Sequence, residues 1–329
     1  MYRIAIVPGD GIGREVIPEA VRVLANTGLP LSFEQVDVGY NVYLKTGVPV
    51  HSEAVSRIME NDACLFGATT TPVGIKDYKS AITTLRHELD VYANVRPVKS
   101  LPVQGSWENV DLVVVRENTE GLYSGVEYRN EDTAFTVRII TRKASTRIAR
   151  FAFELATKRK NKVTVVSKAN IMRATCGMFL ECCRQVAECY PTVEVEEKFI
   201  DVTAMNLIQY PENFDVILTT NMFGDILSDE AAALVGGLGI LPSANIGKKH
   251  ALFEPVHGSA PDIAGKRIAN PVAAILSAGM MLDYLGEKPW AERVRNSVIQ
   301  VISEKRCLTP DLGGSAYTNE LTNAIIDHL

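Results

Sequence analysis

Compact apolar runs of four residues alternate along this chain with longer stretches in which apolar positions recur every three or four residues. Residues 4–7, 63–66, 112–115, 163–166 and 216–219 are of the first kind and predict strands; 15–24, 145–158 and 178–187 are of the second and predict helices. Strands and helices in alternation build an α/β fold, because each helix buries its apolar stripe on a sheet face. From about Tyr128 to Thr141, Phe135, Val137, Ile139 and Ile140 return at intervals of about two, the pattern of a β-arm. The longest nearly apolar run, 271–282, is interrupted by Ser277 and closed by Asp283, short of the roughly 20 residues a membrane span needs. It predicts a buried helix, and no membrane partner.

The length of 329 residues suggests about two domains at roughly 150 residues each. One boundary candidate is Arg96-Pro97, since a proline pushes its predecessor out of helix; a return crossing is expected around Gly236-Gly237-Leu238-Gly239 and Pro242. Apolar residues at 47% and charged residues at 22% describe an ordinary globular chain. A net charge of −5 argues against nucleic acid or anionic lipid as the main partner. Cys176, Cys182, Cys183 and Cys189 contain no Cys-x-x-Cys, and two pairs are spaced by seven, so reduced thiols packed along a helix are expected. Met1 leads directly into a strand pattern without a charged n-region or an apolar h-region, so the expected location is cytoplasmic.

Gly9-Asp10-Gly11-Ile12-Gly13 follows the first strand, but the third glycine of a dinucleotide fingerprint would fall at Arg14. The ordinary Rossmann reading is thereby demoted, leaving a tight turn or a cofactor loop of another design. Arg86, Arg96 and Arg116 could, if they converge, clamp a substrate with two or more carboxylates through bidentate guanidinium contacts. Asp225 and Asp229 are four apart on a predicted helix, where their repulsion is relieved by a hard divalent cation such as Mg²⁺ or Mn²⁺, or by the helix N-terminus alone; Asp201 would be a third ligand if it comes near. Lys168 and Tyr123 form a workable acid/base pair once their surroundings shift them toward neutrality. His51, His87, His250 and His328 share no ligand spacing and read as solvated.

In order along nearly the whole chain, GDGIG (9–13), LRHELDVYANVRP (85–97), VRENTEGLYSG (115–125), KAN (168–170), TTNMFGDILSDEAA (219–232) and EPVHGSAPDIAGKRIANP (254–271) resemble the β-decarboxylating dehydrogenases that act on isocitrate, 3-isopropylmalate and homoisocitrate. The resemblance implies a non-Rossmann, two-domain α/β fold: 1–96 with 242–329 as the large cofactor-binding domain, and 97–241 as the small domain for dimerisation and substrate, with a β-arm at about 128–141. It implies a homodimer or higher homo-oligomer with active sites shared between subunits. By position, Arg86, Arg96 and Arg116 would hold the malate carboxylates, with Ser80, Thr83 and Asn170 also at the substrate. Asp225 and Asp229, with Asp201 from the partner chain, would hold Mg²⁺ or Mn²⁺. Lys168, also from the partner, would assist deprotonation of the C2 hydroxyl, and Tyr123 would protonate the enol left by decarboxylation.

In this family the NADP users carry Lys-Tyr where this chain has Asp262 and Ile263. An aspartate accepts from a ribose hydroxyl and repels a 2′-phosphate, so NAD is expected. Glu254, His257, Gly258, Ser259, Ala260 and Asn270 would line the cofactor, with Ile12, Thr71 and Asn221 nearby. The substrate, a di- or tricarboxylic 2-hydroxy acid, is less legible. Isocitrate enzymes resemble Ser-x-Asn-x-x-Leu-Arg; here Ser80 is kept, while Thr83 stands where bacterial homoisocitrate enzymes tend to have arginine. The polar Tyr78-Lys79-Ser80 approach looks similar to archaeal homoisocitrate-type members, and Ile82 keeps 3-isopropylmalate open. Other classes are a metal-dependent phosphoryl-transfer enzyme, for which GxxxxGK[ST] is absent, and a catalytically inactive regulatory subunit, against which stands an expected residue type at every matched position.

Overall fold

The computed structural model describes residues 1–75 and 78–329. They form two compact units: residues 1–91, 101–106 and 235–329, and residues 92–100 and 107–234. The opening part of unit 1 carries β1 (Tyr2–Gly9), α1 (Gly13–Ala25), β2 (Leu31–Gln35), α2 (Tyr40–Thr46), α3 (Ser52–Met59), β3 (Ala63–Ala68) and α4 (Ala81–Glu88). Unit 2 follows with β4 (Ala93–Lys99), β5 (Asp111–Glu117), β6 (Glu127–Arg129), β7 (Ala134–Thr136), α5 (Arg142–Ala156), β8 (Lys162–Ser167), α6 (Arg173–Ala187), β9 (Glu194–Phe199), α7 (Ile200–Gln209), β10 (Val216–Thr219) and α8 (Asn221–Val235). Unit 1 closes with β11 (Pro242–Ile246), β12 (Ala251–Pro255), α9 (Val272–Tyr284), α10 (Lys288–Glu304) and α11 (Thr318–Asp327).

In unit 1 the strands run β2-β1-β3-β12-β11. β1 pairs in parallel with β2 and β3, and β12 joins β3 in parallel (Leu252 opposite Cys64) before turning antiparallel to β11. Central strands are covered on both faces, which is why β3 reads as an unbroken buried run from Ala63 to Ala68. α1 buries Val16, Ile17, Ala20, Val23 and Leu24, one helical stripe. α9, the helix predicted from the long apolar run, is buried around most of its circumference. Among the described residues no helix is long and apolar enough to cross a membrane.

In unit 2 the order is β4-β5-β10-β8-β9, with β4 antiparallel to β5 and the rest parallel. β6 and β7 pair as a separate two-stranded arm. Its regular pairing spans 127–136, shorter than the alternating stretch to Thr141, with one further bridge between Gly121 and Ile139.

The boundaries depart from the sequence reading. Pro97 lies inside β4, opposite Val113, and the chain enters unit 2 at Tyr92. A residue before proline is satisfied by any extended backbone, so Arg96-Pro97 marked a strand rather than a boundary. Residues 101–106 belong to unit 1, and the return falls at Val235, just before Gly236 and Gly237 turn the chain at φ 120° and 102°. Cys176, Cys182 and Cys183 are buried on α6, whereas Cys189 lies beyond the helix end, exposed; no cysteine is in a disulfide. Of the four histidines expected to be solvated, His51 and His87 are exposed, while His250 and His328 are half-buried.

Candidate active site

Parallel α/β sheets offer ligands the crevice beyond the carboxyl ends of their strands. In unit 2 those ends deliver Arg116 from β5, Asn221 at the start of α8 after β10, and Lys168 after β8. Arg116 is buried, and its Nε and Nη2 donate to Asn221 Oδ1 at 3.0 and 2.7 Å, while Nη1 donates to Asp225 Oδ1. The helix can lie this close because residue 224 is glycine: a Cβ there would stand 2.6 Å from Arg116 Cβ. Arg96, equally buried, donates from Nη1 to Ser228 Oγ (2.6 Å) and Asp229 Oδ1 (3.3 Å), and its Nη2 lies 3.4 Å from Asp225 Oδ1. Tyr123 donates its hydroxyl to Asp225 Oδ2 at 2.9 Å, with the Arg116 guanidinium 5.4 Å from its ring centre.

One face of α8, at i, i+4, i+7 and i+8, thus presents Asn221, Asp225, Ser228 and Asp229 to two arginines and a tyrosine. Partial burial, with the neighbouring Asp225 charge, raises the Asp229 carboxyl above the ordinary aspartate value although Arg96 pulls the other way. Elsewhere in the same unit Lys168 Nζ donates to Asp201 Oδ1 at 2.6 Å, and that hydrogen bond holds Asp201 below its usual range. Asn170 is exposed nearby in sequence. Among the described residues no three His, Cys, Asp or Glu side chains of one chain gather as a metal-ligand group, so Asp201 does not join Asp225 and Asp229. Those two half-exposed carboxylates supply hard oxygen donors that suit Mg²⁺ or Mn²⁺, as an incomplete set.

Arg86 belongs to unit 1. Its Nη2 donates to Glu254 Oε1 at 2.9 Å, and Asn245 Nδ2 donates to the same oxygen at 2.7 Å. Arg86 and Glu254, read from the sequence as substrate and cofactor ligands, are here each other's partners. Ser80 precedes α4, and Thr83 is half-buried on it.

The glycine loop is occupied with packing. Asp10 N–H donates to Ala68 O and Ile12 N–H to Ser259 O; a Cβ on Gly11 would meet Ser259 O at 1.9 Å. The Asp10 carboxylate accepts from the backbone N–H of Tyr40, Asn41 and Thr70 and from Asn41 Nδ2. Thr70 Oγ1 donates to Ser259 Oγ at 2.8 Å, and Thr71 beside it is exposed. His257 is held below its ordinary value by burial, hence a neutral imidazole at pH 7, with Nδ1 3.0 Å from Gly258 O. Ala260 adopts φ 37°, Asp262 and Gly258 are exposed, Ile263 is half-buried, and Asn270 Nδ2 donates to Asp311 Oδ2 at 2.9 Å.

Sequence reasoning passed over Asp10, Ser228 and Asp311. Ser228 had a signal, since it shares a helix face with Asp225; Asp311 had none, its partner Asn270 lying 41 residues away.

A family model described as isocitrate/isopropylmalate dehydrogenase matches residues 3–327. The isocitrate/homoisocitrate dehydrogenase of Thermus thermophilus is 53% identical over 100% of this chain and 98% of its own length. The 3-isopropylmalate/3-methylmalate dehydrogenase of Methanocaldococcus jannaschii is 48% identical over 99% of this chain and 98% of its own. The crystal structure of isocitrate dehydrogenase from Methylococcus capsulatus superposes with a TM-score of 0.96 at 44% identity, covering 100% of this chain and 99% of that one.

Proposed function

Since the chain belongs to the isocitrate/isopropylmalate dehydrogenase family, we propose that it oxidises and decarboxylates a 3-substituted malate to a 2-oxo acid and CO₂, with NAD as acceptor and Mg²⁺ or Mn²⁺ bound. The observation that carries the reading is the meeting of Arg96, Arg116 and Tyr123 on the carboxylates of α8. Guanidinium groups stay charged at any working pH and bind carboxylates bidentately, so the two arginines exchange Asp225 and Asp229 for the substrate's carboxylates. The aspartates are released by that exchange to hold the divalent cation. When bound, the cation supplies Lewis-acid polarisation of the C2 oxygen, and the nicotinamide accepts the hydride.

Tyr123 is the donor that returns a proton to C3 after CO₂ departs; its hydroxyl, tied to Asp225, stands beside the arginines that orient the substrate. Lys168 takes the C2 hydroxyl proton in the site of a second copy, and Asp201 completes the cation's ligands there. Two observations favour this homodimer: Asp201 and Lys168 pair with each other away from Asp225, and unit 2 exposes a run of large apolar residues, Val202, Met205 and Ile208 on α7 and Ile226 on α8. In unit 1, His257, Gly258, Ser259, Ala260 and Asn270 hold the adenosine, the neutral His257 ring offering a flat face, and Asp262 with Ile263 selects NAD. A cytoplasmic location belongs to the same proposal.

For the substrate we favour homoisocitrate or 3-isopropylmalate over isocitrate, on the polar approach before Ser80 and on Ile82. The test is a panel of 3-isopropylmalate, homoisocitrate, isocitrate and malate with NAD and Mn²⁺, following reduced nicotinamide. No turnover on any 3-substituted malate would leave the inactive regulatory subunit as the better reading.

A further inference from the structure

We infer that Glu15 is a positioning residue for the dinucleotide: it fixes the segment that carries Asp262 and Ile263 and thereby sets NAD affinity and the choice of NAD over NADP. The inference rests on the proposed cofactor role of residues 257–263.

Asp262 is exposed, and among the described residues its side chain makes no hydrogen bond or ion pair. Its place is therefore dictated by the backbone on either side. On the leading side, Ser259 is tied to the glycine loop through Ile12 N–H (2.9 Å) and to Thr70 Oγ1 (2.8 Å). Within the segment, the N–H groups of Ile263 and Ala264 both donate to Ala260 O, a local turn that needs an anchor beyond it. That anchor is the Glu15 carboxylate, in the first turn of α1. Oε1 accepts from Gly265 N–H at 2.5 Å, and Oε2 accepts from Arg267 N–H at 3.0 Å.

The two N–H groups that face this carboxylate belong to residues with left-handed backbone, φ 83° at Gly265 and 58° at Arg267. For arginine this region is unfavourable, and the Glu15 hydrogen bonds are what compensates. From Arg267 the chain passes to a further tie, Thr318 N–H to Arg267 O at 2.8 Å. α1 thus holds both ends of the segment, Ile12 the leading end and Glu15 the trailing one. Both contacts lie within unit 1, so the effect should be confined to the dinucleotide.

The test uses the full-length enzyme. Glu15→Gln keeps the shape but turns an amide NH₂ toward one of the two N–H donors. Gly265→Ala leaves α1 untouched and strains the clamped turn: a Cβ there meets nothing within 4 Å, yet the φ of 83° is adverse to any side chain. Each variant should raise KM for NAD and the directly titrated Kd for NADH about tenfold, equivalent to about 1.4 kcal/mol, and should reduce the NAD-over-NADP ratio. kcat at saturating NAD and KM for the hydroxy acid should change less than twofold. A Glu15→Gln enzyme that unfolds near the wild-type temperature and keeps wild-type Kd for NADH would overturn the inference. So would equal losses in kcat and both KM values, the signature of general damage. Asp262→Lys separates this from the underlying reading: if it too leaves both dinucleotide affinities unchanged, the cofactor assignment of the segment has failed, and not only the role of Glu15.

Discussion

Replacing Tyr123 by phenylalanine separates a catalytic hydroxyl from a structural one. In the structure the hydroxyl donates a hydrogen bond to Asp225 Oδ2 at 2.9 Å, and the residue is 37% exposed. A hydrogen bond to a charged group contributes about 1.5–3 kcal/mol when buried. With water available to both partners the loss should stay near or below about 1 kcal/mol, a fall in Tm of no more than roughly 2–4 °C. The ring and its contact with Arg116 survive the change. A positioned general acid is worth about 10²–10⁴ in rate, or roughly 3–5 kcal/mol. Catalysis should therefore fall far more than stability. The assay is overall turnover with NAD and Mn²⁺, beside reduction of the free 2-oxo acid by NADH, which needs no proton at C3. Overall turnover should drop at least about a hundredfold while oxo-acid reduction falls less than about tenfold. Lys168→Met should depress both, and mixing the two inactive proteins should restore activity, because one site of the mixed dimer combines an intact Tyr123 with an intact Lys168. A Tyr123→Phe enzyme within a few-fold of wild type in overall turnover refutes the proton-donor role, and a stable mixed dimer without rescue refutes the shared site.

On cofactor choice, Asp262→Lys with Ile263→Tyr should move kcat/KM from NAD toward NADP by supplying a cation and a hydroxyl for the 2′-phosphate; wild type equally active with both would contradict the assignment. Chelation should abolish turnover and Mn²⁺ restore it, and Asp225→Asn should lower kcat by orders of magnitude. The Asp229 carboxyl is raised, and a cation binds only its ionised form, so Mn²⁺ affinity measured by titration should weaken on acidification at a higher pH than for an ordinary aspartate, with Asp229→Asn flattening that dependence. Away from the site, Arg159 donates to buried Asp215 at 2.7 Å and to Asp111 at 2.8 Å, so Arg159→Ala should cost up to about 3–5 kcal/mol in denaturant unfolding by removing the guanidinium that balances the buried Asp215 charge, whose other oxygen keeps the Lys160 N–H at 2.9 Å. Burial works to raise Asp111, but the Arg159 hydrogen bond and the nearby cations outweigh it and hold it low. Its contribution is accordingly present above the unfolded-state value, near pH 4, and is lost as pH falls through the lower folded value; the Arg159→Ala protein should show a shallower loss in acid.

What the sequence determined by itself was whatever depends on near neighbours in the chain. Alternating short apolar runs and helical stripes set the α/β class, the arm and the buried α9, because burial on both faces or on one stripe writes its period directly into residue order. The i, i+4 spacing of Asp225 and Asp229 placed them on one face of α8 for the same reason. Tertiary structure decided which distant groups meet. Arg96 finds Ser228 across 132 positions, and Arg86 finds Glu254 across 168, in the other compact unit from Arg96 and Arg116. The use of the glycine loop for packing against Ser259, and of Glu15 as the clamp on Gly265 and Arg267, was equally hidden. Such contacts are made by satisfying donors, acceptors and charges wherever the packed elements bring them, and no short-range periodicity records that.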